Sequence, residues 1–397
     1  MNTMKRVLYI HNGADLYGGG RFLLRLVSNL ERRVYEPLVI IPCAGPLGDA
    51  LRSLNVKVTV MKSLSVISRR VFYSWKLLPF IVWIPVSAVV LALFMLRNKI
   101  DIVHTNTGSI PSAGLAVRVA RRRHIWHIHD SFHEFKKLWW VYSRYVRWSS
   151  DRVLCVSRSV QSQFGENQEK TLVVYNGLPY DGLDTATDRE VTAFRVKYGL
   201  KSDKLVGVLG RVKFQRKGQD VFVKAVALLK DKVNNVKFII VGSPFPGNEN
   251  HIRDLRLLIR DLGVEDMVVL TGEVTDTGVV YRALEILVLP SCYPEPFATV
   301  ILEAMANGIP VIGTNLGGTV EQIEDGVSGI LIEPNNPHLL AEKIHLLLDD
   351  RALYESIRKA AVMRFHASFN FTRMYDEIEQ AYREVDPSQQ SKPHARH

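Results

Sequence analysis

The sequence predicts an α/β protein built from two parallel-sheet domains, and three observations predict it. Short β-rich runs alternate with helical patterns through the first half. A second series of the same kind begins near Lys204. Within that series, residues 286–333 form a strand, loop, helix and strand whose loops carry glycine, proline and carboxylates. At 397 residues and 47% hydrophobic, the chain can bury two ordinary domain cores.

In order along the first half, strands are expected at residues 6–11, 36–42, 56–61, 101–104, 124–129, 152–156 and 170–174. Helical patterns such as 22–30 and 110–121 lie between them, which implies a parallel sheet covered on both faces. The second series expects strands at 205–209, 236–241, 267–271, 286–289 and 310–313, with helices at 221–229 and 252–262 among them. The polar, Asp-rich stretch 180–195 is expected to carry the domain boundary, with Asn176-Gly177-Leu178-Pro179 as its turn. The tail, 386–397, is polar without apolar periodicity and is expected to be disordered.

Three cysteines, Cys43, Cys155 and Cys292, make no even framework and no CxxC pair, so a reducing compartment is expected. The opening MNTMKRVLYIHNG has no long apolar stretch and is read as no signal peptide, so the cytosol is the default expectation. The net charge of +11 is uneven: residues 1–180 hold 25 Lys/Arg against 10 Asp/Glu, and the remainder 26 against 30. The first half is therefore expected to face an anionic partner.

Residues 77–96 contain no charged side chain and are long enough to cross a bilayer as a helix. Basic residues flank both ends, so charge gives no orientation. A crossing would put the first three strands on the opposite side of the membrane from the fourth, and one sheet could not then hold them. Pro79 and Pro85 are expected to break a straight helix near its start. A segment lying in one leaflet satisfies these constraints. Residues 132–148 interleave Phe135, Trp139, Trp140, Tyr142, Tyr145 and Trp148 with Lys136, Lys137, Arg144 and Arg147, a mixture suited to the headgroup level of a bilayer. The same mixture suits single-stranded nucleic acid. Beside a charge-free run, an anionic membrane surface is the better match, and no nucleic-acid partner is expected.

The candidate chemistry collects at strand ends. Glu295 lies between two prolines just before a helix start, and Glu303 about two turns into that helix. The amides of Phe297 and Ala298 lie between them, and Gly317-Gly318 builds a second backbone-lined loop alongside. Two carboxylates facing such a crevice suit a ligand rich in hydroxyls. The turn Gly210-Arg211 through Lys217-Gly218 places cations at the same sheet edge, where a diphosphate is the natural occupant. At the first strand's end, Gly18-Gly19-Gly20 opens a helix and permits close approach to an anion. It is not the GxGxxG fingerprint, and no acidic residue follows ~20 positions on, which disfavours a nicotinamide enzyme. His127 and His129 point the same way along one strand. With His104 they lack the Cys or carboxylate spacing of a metal set, so no metal is expected.

Taken together, these residues resemble the family 4 glycosyltransferases, retaining enzymes of the GT-B architecture. The resemblance runs from about Lys5 to Val385, and its most specific element is the E-x7-E signature from Glu295 to Glu303. It implies two Rossmann-like domains facing across a cleft, with a C-terminal helix crossing back to the first. The expected divisions are 1–185 for the acceptor and membrane-facing domain, 186–368 for the donor domain, 369–385 for the returning helix and 386–397 for the tail. It also implies roles. Arg211 and Lys217 would neutralise the donor diphosphate, Glu303 would bind ribose hydroxyls and Glu295 those of the transferred sugar. Amides from Phe297 through Ala298 and Thr299 to Val300 would assist, His129 would hydrogen-bond the sugar, and the loop Gly18, Gly19, Gly20 would close over the diphosphate. The implied catalytic set is His129, Glu295, Arg211 and Lys217, acting with no cofactor and no metal on a nucleotide-sugar donor. There are departures from the pattern: Ala298 stands where glycine is frequent, and one extra residue separates Arg211 from Lys217, so Arg216 could share a role.

The apolar run then suggests transfer of a hexose-type sugar to a lipid-linked glycan at the inner face of the cell membrane, in cell-surface polysaccharide synthesis. A nucleotide-sugar epimerase of the same fold is the first alternative, but it has no use for an acceptor surface. A non-catalytic sugar-nucleotide-binding partner is the second, and the intact Arg211, Lys217, Glu295, Glu303 and His129 argue against it.

Overall fold

The computed structural model describes residues 4–67, 71, 74–132, 136–165, 168–179, 186–200 and 203–386. The chain divides into two compact units, Met1–Tyr175 with Met374–His397, and Asn176–Arg373.

In the first unit, seven strands pair in parallel: β1 (Lys5–Ile10), β2 (Tyr35–Ile41), β3 (Lys57–Val60), β4 (Ile102–Thr105), β5 (Arg123–Ile128), β6 (Arg152–Cys155) and β7 (Thr171–Val173). Their order is β3-β2-β1-β4-β5-β6-β7, so the direction of winding reverses between β1 and β4. Right-handed crossovers put α1 (Gly18–Ser28) and α2 (Pro46–Ser53) on one face. They put α3 (Leu77–Arg97), α4 (Pro111–Ala120) and α5 (Lys136–Trp148) on the other, with the one-turn α6 (Arg158–Gln161) leading to β7. The strand cores are runs of Val, Ile and Leu because both sheet faces are covered.

α3 is continuous through both prolines, contrary to the expected break. Pro79 sits in the first turn, where no N–H is needed, and Pro85 forfeits a single bond to the carbonyl one turn back. Only Ser87, Ala88, Leu91, Ala92 and Met95 of this helix are buried. The Ser87 hydroxyl accepts from the Ser65 amide at 3.1 Å, and the Ser65 hydroxyl accepts from the Ser112 amide at 3.2 Å, which tethers α3 toward α4. The outward side stays apolar: Leu78 and Val82 are each 73% exposed. Beyond it, Val119 on α4 and Trp140, Val141 and Trp148 on α5 are exposed too, with Arg144 stacked on Trp140 and Arg118 on Trp148. α3 is long and apolar enough to span a bilayer. It joins β3 to β4 of one sheet, so both its ends lie on the same side of any membrane. Phe135 lies outside the described residues.

The second unit holds β8 (Lys204–Leu209), β9 (Val236–Val241), β10 (Val268–Gly272), β11 (Ile286–Leu289), β12 (Val311–Thr314) and β13 (Ile330–Ile332) in the order β10-β9-β8-β11-β12-β13. Here the reversal falls between β8 and β11. Its helices are α7 (Asp188–Lys197), α8 (Gln219–Leu229), α9 (Asn250–Asp261), α10 (Gly278–Ala283), α11 (Thr299–Ala306), α12 (Thr319–Gln322), α13 (Pro337–Asp349) and α14 (Arg351–Ser368). α7 begins within the expected boundary stretch 180–195 and runs past its end to Lys197. A capping box between Thr187 and Glu190 starts it, a local signal strong enough to make helix in a polar stretch. Residues 180–185 of that stretch lie outside the described residues.

The last helix, α15 (Phe371–Val385), packs on the first unit. Its Tyr382 hydroxyl bonds His104 Nδ1 at 2.7 Å and the Tyr9 hydroxyl at 3.0 Å. Ion pairs Arg152–Glu384 and Lys5–Asp386 flank it. Residues 387–397 of the expected tail lie outside the described residues.

Candidate active site

The candidate side chains gather where each sheet reverses, the position at which open α/β sheets leave a crevice beyond their strand ends. In the second unit, β8 ends at Leu209 and the chain turns through residues 210–218 into α8. Gly218 adopts φ +68°, and a Cβ there would lie 1.8 Å from the Pro290 carbonyl oxygen, so only glycine lets this turn press on the loop after β11. That contact brings Lys217 to Glu295, Nζ to Oε1 at 2.6 Å. The Ser291 hydroxyl donates to the same oxygen at 2.8 Å. Burial alone would raise the Glu295 pKa, but the charge and hydrogen bond of Lys217, the Ser291 bond and the charge of Lys213 together hold it below the usual carboxylate value.

The glycine pair completes the loop. The Gly318 amide donates to the Glu295 carbonyl at 2.7 Å, and Gly317 takes φ +60° with space for no Cβ against that carbonyl. α11 begins only at Thr299, because 290–298 remains loop around Pro294 and Pro296. Glu303 is therefore the fifth residue of the helix, a little over one turn in rather than two. It is 6% exposed, and its Oε2 accepts from the Tyr281 hydroxyl of α10 at 2.6 Å. Gln322 clasps Ala298, accepting from its amide at 3.1 Å and donating to its carbonyl at 2.9 Å, so that amide is already engaged.

Arg211 lies with its guanidinium 3.1 Å from the centroid of Phe245, and Gln219 donates to its carbonyl. Arg216 covers Tyr293 at 4.6 Å, and Lys217 pairs with Glu295. Ser291, Tyr281, Gln322 and Phe245 were invisible as site residues in the sequence. Tyr281, Gln322 and Phe245 meet partners distant along the chain, whereas Ser291 is a small polar loop residue that meets Glu295 four positions on.

In the first unit, three adjacent strand ends supply His11 after β1, Asn106 after β4 and His129 after β5. His129 Nε2 lies 2.9 Å from Asn106 Oδ1. Its ring packs 4.5 Å from Phe22 and 4.2 Å from His127. His11 presses on the glycine helix start: a Cβ on Gly19 would lie 3.1 Å from its Cε1. Gly18, Gly19 and Gly20 form the first turn of α1, and a Cβ on Gly20 would overlap the Asp15 carbonyl oxygen at 2.0 Å. Asp130 accepts from the Thr107 hydroxyl at 3.0 Å and the Gly108 amide at 3.1 Å, and burial raises its pKa despite them.

Burial lowers the histidine pKa values here, to about 3 for His129 and His104 and about 4 for His11 and His124. These rings are neutral at pH 7 and act through hydrogen bonds rather than charge. His104 Nε2 lies 3.2 Å from His127 Nδ1, which uses those two rings as core partners. Among the described residues, no group of three or more His, Cys, Asp or Glu is arranged to hold a metal.

This geometry can bind a diphosphate through Arg211 and Lys217 and a polyhydroxylated ligand through Glu295 and Glu303. Residues 17–181 match the family described as Glycosyltransferase Family 4, and residues 190–363 match Glycosyl transferases group 1. Among curated proteins, an uncharacterized glycosyltransferase of Methanocaldococcus jannaschii is 31% identical over 59% of this chain and 60% of its own length. The D-inositol 3-phosphate glycosyltransferase of Corynebacterium glutamicum is 30% identical over 49% of this chain and 47% of its own. The chain thus spans about half the length of the curated relatives it matches. Among solved structures, Anabaena HepE in complex with UDP and glucose superposes with a TM-score of 0.81 at 24% identity, covering 96% of this chain and 99% of that one. WaaG, a glycosyltransferase involved in lipopolysaccharide biosynthesis, does so with a TM-score of 0.68 at 18% identity over 96% and 99%. At these identities the structural likeness establishes the fold.

Proposed function

This chain belongs to the GT-B glycosyltransferases, matching Family 4 through its first domain and group 1 through its second, and from that premise we propose that it is a retaining hexosyltransferase. It moves a sugar from a nucleotide-sugar to a lipid-linked glycan at the cytoplasmic face of the cell membrane, in cell-surface polysaccharide synthesis. The observation that carries this reading is the Lys217–Glu295 pair at the reversal of the second sheet, with Arg211 alongside. The UDP and glucose bound to HepE support a nucleotide-sugar as the donor.

In this mechanism the donor diphosphate draws Lys217 from Glu295 and engages Arg211. As the glycosidic C–O bond breaks, the charge developing on the departing diphosphate meets two preorganised cations. Glu295, released from Lys217, accepts from hydroxyls of the transferred sugar, and Glu303 from the ribose. The acceptor hydroxyl attacks the oxocarbenium-like carbon from the face the diphosphate leaves, and its proton passes to a departing phosphate oxygen. The exposed apolar side of α3, with Trp140, Trp148 and the arginines stacked on them, supports docking of the first domain on an anionic leaflet.

Purified protein and membranes incubated with a panel of radiolabelled nucleotide-sugars test the proposal. Label should enter the lipid extract, and Glu295→Ala and Lys217→Ala should each cut transfer by about 10²–10³-fold. Conversion of the sugar nucleotide without an acceptor, binding without turnover, or full transfer by both variants would each overturn it.

A further inference from the structure

We infer that Asn106 is a positioning residue for the first-domain site: anchored to Gly19, its side-chain amide holds the His129 ring with Nε2 protonated and Nδ1 left as an acceptor for a sugar hydroxyl. The inference rests on the proposed meeting of His129 with the sugar.

The chemistry of three fixed partners carries it. Asn106 is 1% exposed, and its Nδ2 lies 3.4 Å from the Gly19 carbonyl oxygen. A carbonyl only accepts, so the side-chain atom facing it must be the amide nitrogen, which settles the orientation of the amide. Oδ1 is then the atom 2.9 Å from His129 Nε2. An amide oxygen also only accepts, so Nε2 must carry the hydrogen. In a neutral imidazole the lone pair then resides on Nδ1.

The ring has little freedom to escape this arrangement. Phe22 packs edge-on against it, and His127, itself in contact with Phe22, lies tilted 33° to it. Burial keeps the ring neutral at pH 7, so Nδ1 accepts rather than donates. The ligand class follows: His129 faces a hydroxyl hydrogen, not a phosphate oxygen. Asn106 also stands within 3.3 Å of His11 Nδ1, tying the ring to the glycine helix start on which His11 rests. In the sequence, Asn106 is one polar residue after a strand, with no pattern to mark it.

The test uses the full chain with 15N-labelled histidine, His129 being assigned by its loss in His129→Gln. The wild-type ring should show the Nε2–H tautomer. Asn106→Ala should give mixed tautomers and lower kcat by about 10–100-fold, the size of loss found when the partner orienting a metal-bound histidine is removed. The donor KM should move less than about threefold, since Arg211, Lys217, Glu295 and Glu303, the main proposed donor contacts, lie in the other domain. Asn106→Asp keeps the oxygen facing His129 and the shape of the side chain, so Nε2 should stay protonated. This variant keeps the test intact if the alanine variant misfolds. A wild-type Nδ1–H tautomer, unchanged signals in Asn106→Ala, or loss of Nε2 protonation in Asn106→Asp would overturn the assignment. The spectra need no turnover, so absence of any sugar transfer by the wild type would sink the proposed function and leave Asn106 to be judged by the tautomer alone.

Discussion

Mild acid should unfold the first domain before most of its carboxylates titrate. His11, His104 and His124 are 5%, 0% and 1% exposed, and burial lowers their pKa values to about 4, 3 and 4. In the unfolded chain each takes up its proton near 6.5, whereas the native protein resists until far lower. Their stabilising contribution is therefore complete above pH 6.5 and is lost as the pH falls from there toward the folded values. At pH 5 the loss is about 2 kcal/mol per ring and about 6 kcal/mol for the three, against a total domain stability of roughly 5–15 kcal/mol. Asp130 works the other way, because its raised pKa means that protonation relieves a buried charge, but it is one carboxyl against several rings. Trp126 is fully buried 5.0 Å from His124, with Nε1 bonded to Ser149, and its fluorescence reports the loss of packing. Denaturant titrations at pH 7, 6 and 5 should show stability falling steeply over that range. His124→Gln should flatten the fall while lowering stability at pH 7, since His124 bridges Thr105 and the Ser149 carbonyl. Equal stability at pH 7 and pH 5, or an unchanged slope in the variant, would refute the account.

Three further outcomes follow from the same geometry. Gly218→Ala should destabilise the second domain by about 1–3 kcal/mol, because Ala must adopt positive φ and displace the Pro290 carbonyl; an unchanged Tm by calorimetry would contradict this. Tyr281→Phe removes the hydroxyl that donates to Glu303 and should cost about 1–3 kcal/mol, with a raised donor KM if Glu303 binds ribose; steady-state kinetics beside a melting curve separates the two effects. Leu78→Ser combined with Val82→Ser should leave stability within about 0.5 kcal/mol, both side chains being exposed, yet weaken sedimentation with anionic vesicles by about 1.5–3 kcal/mol per residue; unaltered vesicle binding would end the docking proposal.

The strands were legible because a parallel sheet covered on both faces demands unbroken apolar runs, as in Ile286–Leu289. The edge strand Ile330–Ile332 was not among the expected strands, although the equally short Thr171–Val173 was. Helix α7 escaped because its signal is a capping box in polar surroundings, while Pro79 falls in the first turn of α3 and Pro85 forfeits a single hydrogen bond, so neither breaks the helix. At the site, Glu295, Glu303, Arg211 and Lys217 could be picked out since their spacing around strand ends is local. Their partners could not: Ser291 meets Glu295 within an irregular loop, and Tyr281 meets Glu303 from a separate helix.

The sequence by itself determined the two βα series, the charged and glycine-rich strand ends, and the charge-free run at 77–96, because each depends on residues near one another in the chain. Tertiary structure alone decided that Lys217 is paired with Glu295, that Asn106 governs His129, and that α3 turns most of its apolar surface outward. Those facts depend on which strand ends become neighbours when each sheet reverses, between β1 and β4 and between β8 and β11. Strand order is set by the packing free energy of a whole domain, and no local stretch of residues encodes it.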